Sequence, residues 1–165
     1  MHRTLVTVLQ GFLSFVLLVG VWAQIVLIPT MAADEVELFP PYEPLRIPLV
    51  TAAVAFVACV QAWLVGSILL LHRSAEGTLF EQSAQRWVTV LLAAAGGAAV
   101  VTFALLVFVT FSEIPSPADG MEVIGLWMGS AVAVAGSVAL LMLTLIGRHL
   151  LGKAIELRSE LDEVV

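Results

Sequence analysis

The sequence predicts an all-α integral membrane protein, a four-helix bundle with a cytoplasmic C-terminal helical extension. Three observations lead there. The 165 residues are 61% hydrophobic and only 12% charged, with a mean hydropathy of +1.06, which leaves too little polar surface to cover a water-soluble globule. Four apolar runs, at about 5–28, 48–71, 87–111 and 123–146, are each long enough at about 1.5 Å per residue to cross about 30 Å of hydrocarbon. The charges that sum to −6 lie almost wholly between or after those runs. The chain therefore reads as one four-span domain, 1–165, with residues 147–165 as a tail.

The first run is too long for the apolar core of a cleaved leader, and Met31 stands where cleavage after Ala33 would want a small residue, so it reads as a retained span. Gln10 and Gln24, fourteen residues apart, fall within about 40° of each other around a helix and are expected to make helix-to-helix hydrogen bonds. Residues 29–47 carry Asp34, Glu35, Glu37 and Glu43 around Phe39, Pro40, Pro41, Tyr42 and Pro44. Closely spaced prolines favour extended or turn backbone, so this segment is expected to be a rigid acidic loop. Its carboxylates lack the spacing and the ordering glycine of an EF-hand.

Pro48 then opens the second run at a helix-starting position, where its missing N–H costs little. Ala58, Ala62 and Gly66 recur at every fourth position and predict a packing face. Cys59, the single cysteine, lies in the same run, which excludes an intramolecular disulfide and a quinone-coupled dithiol oxidoreductase. Residues 72–86 divide the chain into two hairpins and read as a fifteen-residue loop, with Arg73 and Arg86 at headgroup level and Leu79 and Phe80 dipping into the interface or capping the bundle.

The third run holds the string AAAGGAA at 93–99, costly in a water-exposed helix but suited to close packing in lipid. A second acidic loop, 112–122, contains Pro115 and Pro117. In the fourth run Gly125, Gly129, Ala133 and Ser137 form a seam of small residues for a partner helix in the same chain or in a second copy. Beyond it, Leu150, Ala154, Leu157, Leu161 and Val164 step by four, three, four and three, a heptad seam too short for an independent coiled coil. Arg158 and Asp162 stand at i, i+4.

Topology follows from counting basic residues. Arg3, Arg73, Arg86, Arg148, Lys153 and Arg158 fall on one side of a four-span arrangement and only Arg46 on the other, which predicts cytoplasmic N and C termini. No stripe of basic residues exists to neutralise phosphates, so direct nucleic-acid binding is excluded. None of the runs contains an Asp, Glu, Lys, Arg or His, which counts against a proton-coupled pump or an ion pathway. His72 and His149 lie at span ends without further ligands, and no nucleophile–base order or phosphate loop appears. The expectation is a non-enzymatic protein with no catalytic residue, metal or cofactor.

Three motifs carry a family resemblance. They are Tyr42, Glu43, Pro44, Leu45, Arg46, Ile47 and Pro48; then Gly77, Thr78, Leu79 and Phe80 followed by Arg86, Trp87 and Val88; and the closing Leu157, Arg158, Ser159, Glu160, Leu161, Asp162, Glu163, Val164 and Val165. In this order they resemble the bacterial four-span family catalogued as domain of unknown function 2975, particularly its actinobacterial branch, over the whole chain in length, span count and motif order. The resemblance implies a bacterial inner-membrane protein, often encoded beside a small helix-turn-helix transcription regulator, with no established activity. This chain departs from the family pattern in carrying Pro40, Pro41 and Pro44.

Two expectations follow. One is a membrane sensor or anchor that meets the lipid bilayer, and in some arrangements a second copy, while Phe80, Leu150, Leu157, Arg158, Leu161 and Val164 hold a cytoplasmic partner such as that regulator. The other is a small transporter or channel in which Gln10, Gln24 and Gln61 line a neutral-solute path.

Overall fold

The computed structural model describes residues 2–76, 82–116 and 120–163. Among them there is no strand. α1 (His2–Trp22) passes through a single π-helical turn, Ala23–Leu27, into α2 (Ile28–Leu38). A 3₁₀ turn, Pro40–Tyr42, leads into α3 (Glu43–Glu76), followed by α4 (Gln82–Phe111) and α5 (Met121–Glu163). Four stretches are long and apolar enough to cross a membrane: Val6–Leu38, Pro40–Arg73, Arg86–Phe111 and Met121–Ala154.

The acidic segment expected to be a loop is mostly helix, and this corrects the reading from its prolines. Pro29 cannot donate a hydrogen bond, and in a regular helix its ring would clash with the carbonyl four residues back. The π turn just before it widens the backbone, so that the Ile28 N–H bonds the carbonyl of Ala23, five residues back, and Pro29 enters at the start of the next helical segment. Pro40 and Pro41 do break the helix. Phe39, restricted by the proline that follows it, takes φ −139° and ψ 89°, and its N–H closes α2 on the Glu35 carbonyl at 2.9 Å. α3 resumes only four residues later, at Glu43, so Pro48 lies inside the helix rather than at its start.

The expected dividing loop is likewise shorter. α3 continues through Arg73 to Glu76 and α4 starts at Gln82, which places Arg73 in the last helical turn, where its charge complements the helix dipole. Residues 77–81, with Leu79 and Phe80, lie outside the described residues. The fourth run and the tail form one helix of 43 residues, about 65 Å long.

α4 is the centre of the bundle, packed on α3 on one side and α5 on the other, while α1 packs on α3. The buried apolar residues are Leu64 of α3 and Val88, Leu91, Ala94, Ala95, Ala98 and Val109 of α4. Their three- and four-residue steps along α4 make one helical face. Small side chains let the backbones close up: a Cβ added at Gly97 would lie 3.1 Å from Cys59 Sγ, and one added at Gly66 would overlap Leu91 Cδ1. Of the glycine pair at 96–97, Gly97 thus serves the close packing expected of it, while a Cβ added at Gly96 would meet nothing within 4 Å. By contrast, none of the most apolar stretch of the first span is buried, so α1 is a peripheral helix that presents its side chains to lipid.

Polar contacts knit the helices where apolar burial gives no net driving force between them. Trp63 Nε1 donates to Thr144 Oγ1 at 3.3 Å, joining α3 to α5, and Trp127 Nε1 donates to Thr110 Oγ1 at 3.1 Å, joining α5 to α4. The buried hydroxyls of Thr102 and Ser137 lie 3.4 Å apart, each also donating to a carbonyl of its own helix. Gln24 donates from Nε2 to the Val54 carbonyl at 3.1 Å, the interhelical bond expected of it.

Candidate functional site

The proline break brings the chemistry of the α2–α3 elbow against the start of α5. The rings of Phe39 and Tyr42 meet edge-on, with centroids 4.8 Å apart and planes at 71°. That contact fixes the tyrosine, whose hydroxyl donates to Glu122 Oε2 at 2.8 Å across 80 residues of sequence. Glu122 sits in the first turn of α5, where the helix dipole favours a carboxylate. The entry to that turn is set by Gly120 at φ 74°, a conformation that side chains avoid; its N–H bonds Ser116 Oγ at 2.9 Å and its carbonyl accepts from the Ile124 N–H at 3.1 Å.

Behind this contact lies a cavity of about 430 Å³. Ala32, Glu35 and Val36 of α2 form one wall; Tyr42 with Leu45, Arg46 and Leu49 of α3 form the second; Ile114 with Glu122, Val123 and Leu126 of α5 form the third. Steps of three and four residues put the members from α2, α3 and α5 each on one helical face, while Tyr42 comes from the 3₁₀ turn and Ile114 from the segment after α4. The walls are apolar and the charges are two carboxylates and one guanidinium. Apart from the Tyr42 bond to Glu122, the side chains of Glu35, Arg46 and Glu122 make no hydrogen bond or ion pair with the described residues. Arg46 also borders a second hollow of about 340 Å³, with Pro29, Glu43, Ile47, Val50 and Thr51. A pocket of this size with apolar walls and a few convergent polar groups is the usual form of a small-molecule site.

A family model described as Protein of unknown function (DUF2975) matches residues 30–165. The chain belongs to this family. The match takes in every residue lining the 430 Å³ cavity and all of α3, α4 and α5, and it begins within α2, leaving α1 outside. With four apolar helices long enough to span, this DUF2975 chain is a multi-pass membrane protein. No curated protein matches it, and no solved structure does.

The residues singled out in the sequence fall in different places. Gly66 is buried against Leu91, whereas Ala58 and Ala62 on the same seam are exposed. Gly125 and Gly129 are exposed, with nothing within 4 Å of an added Cβ; Ala133 is half-buried and Ser137 buried. The inward face of α5 is marked instead by Ser130, Ser137 and Thr144, all buried and seven residues apart. Leu150 is exposed, Leu157, Arg158 and Leu161 lie on the helical backbone of α5, and Phe80 and Val164 lie outside the described residues. Gln10 is half-buried, and the buried Gln61 Nε2, which has no hydrogen-bond partner, sits where a Cβ on Gly20 would be 3.1 Å away.

The α2 wall of the cavity and its edge from Tyr42 to Arg46 escape the sequence because the prolines of 29–47 favour extended or turn backbone there. Read as helix, Ala32, Glu35 and Val36, then Leu45 and Leu49, have the spacing that would have placed them on facing sides of an elbow.

Proposed function

We propose that this protein is a non-enzymatic sensor of the bacterial inner membrane, with both termini cytoplasmic, in which a ligand in the elbow cavity changes how the C-terminal tail holds a cytoplasmic partner. One observation carries the reading: α5 lines the cavity with Glu122, Val123 and Leu126 and continues without a break to Glu163. About 30 Å of its length of about 65 Å suffices for the hydrocarbon, so about half of the helix is left to project beyond it. Movement of α5 at the cavity is then movement of the tail, since a continuous helix transmits tilt and rotation along its length. The six basic residues on the tail side, against Arg46 alone at the elbow, support the orientation.

The heptad steps from Leu150 through Leu157 to Leu161 supply a surface for a helical partner, and a small helix-turn-helix regulator fits the family association. The test is a tagged pull-down from native membranes comparing the native chain with one carrying Leu157→Asp and Leu161→Asp. Loss of a DNA-binding partner, with the spans still folded, supports the reading; retention by the variant contradicts it.

A second reading, a small transporter or channel for a neutral solute, is supported by Gln61, whose buried and unbonded amide would suit a polar solute passing between α1 and α3. Solute flux into reconstituted vesicles that is unaffected by Gln61→Leu would count against it.

A further inference from the structure

We propose that the elbow cavity binds a zwitterionic amphipath: one apolar chain with a head that carries both an ammonium and an acidic group such as a phosphodiester. The inference rests on the sensor reading and names its ligand. Val36, Leu45, Leu49 and Leu126 offer apolar walls to a chain. The rim offers charges of both signs, and they do not neutralise each other: Arg46 forms no ion pair with either carboxylate, although Glu35, Arg46 and Glu122 all line the same cavity.

Charge complementarity then selects among amphipaths. A simple anion would pair with Arg46 and face two carboxylates. A simple cation would satisfy Glu35 and Glu122 and meet the guanidinium. A neutral chain would leave all three charges to water. Only a head with both signs answers both, the acidic group on the Arg46 fork and the ammonium between the carboxylates. Tyr42 assists by holding Glu122 in place through its 2.8 Å bond. The same chemistry is found in the head of a bilayer lipid and in a free single-chain amphipath.

The test uses the full chain in a non-ionic detergent, titrated with three single-chain amphipaths of equal chain length that carry a phosphoethanolamine, a phosphoglycerol or an ammonium head, with bound molecules counted by native mass spectrometry. The phosphoethanolamine probe is expected to bind at least about tenfold more tightly than either other probe, the difference made by one charge-assisted hydrogen-bonded pair. Arg46→Gln should weaken it by about tenfold while leaving the ammonium probe no weaker, Arg46→Lys should restore part of the loss, and Glu35→Gln with Glu122→Gln should remove the advantage over the phosphoglycerol probe.

Equal binding of the three probes, or a phosphoethanolamine preference unchanged in Arg46→Gln, overturns the proposal. Competition by a two-chain phosphoethanolamine lipid in nanodiscs would assign the bilayer as the source and its absence a free amphipath; either upholds the chemistry. Should the probe bind as expected while partner capture by the tail is unaffected, the relay fails and the ligand assignment stands.

Discussion

Tyr42 is the residue on which the elbow closes, because its hydroxyl is the side-chain bond that ties the α2–α3 turn to α5. Tyr42→Phe keeps the ring against Phe39 and removes only that bond; it should cost about 0.5–1.5 kcal/mol, seen as a lower melting temperature in detergent. At Gly66 the opposite kind of change is informative. A valine there would drive into Leu91, and Gly66→Val should destabilise the bundle by about 1–3 kcal/mol, whereas Ala58→Val, on an exposed position of the same helix, should leave the melting temperature nearly unchanged. Polarity made residue-level roles legible in the sequence only in part. Gln24 in an apolar run finds the partner its polarity calls for, whereas Gln61 in the next run keeps a buried amide nitrogen without one. Which small residue sits at a contact depends on rotation of the helix about its axis, and for α3 and α5 apolarity on every side hides that rotation.

At the scale of elements, the four apolar runs determine four helices, since a membrane leaves a backbone few other ways to satisfy its polar groups. Their ends were less legible, because proline chemistry was read locally. Pro29 does break the regular helical pattern, but the π turn at Ala23–Leu27 absorbs the break and the chain stays helical to Leu38. Pro29→Ala restores a donor and removes the ring, so the π turn loses its reason and should relax to regular helix, turning α1 relative to α2 and weakening the Gln24 bond to Val54; a lower melting temperature with unchanged helical content by circular dichroism is the expected result. The tail is simpler. No proline or turn signal separates the fourth run from Leu150, and α5 runs on accordingly.

At the scale of the molecule, the elbow end carries the cavity and sets Asp34, Glu35, Glu37, Glu43, Glu113 and Glu122 against Arg46 alone, and the opposite end carries five of the seven basic residues on or beside α3, α4 and α5. With Cys59→Ser as background, Leu38→Cys, exposed at the end of α2, should react with a membrane-impermeant thiol reagent in intact cells, and Gly152→Cys on α5 only after permeabilisation. The four-span plan was visible in the sequence; the cavity was not, because its walls come from three helices and one of them was not expected to be a helix. The claim that joins these scales is that the cavity and the tail communicate through α5. Its most direct measurement is partner capture by the native chain, by Leu126→Trp, which fills the cavity, and by Leu143→Trp, which adds the same bulk to an exposed face of the same helix. The account predicts that capture changes with Leu126→Trp and stays at the native level with Leu143→Trp; equal capture by all three proteins, each folded, would contradict it.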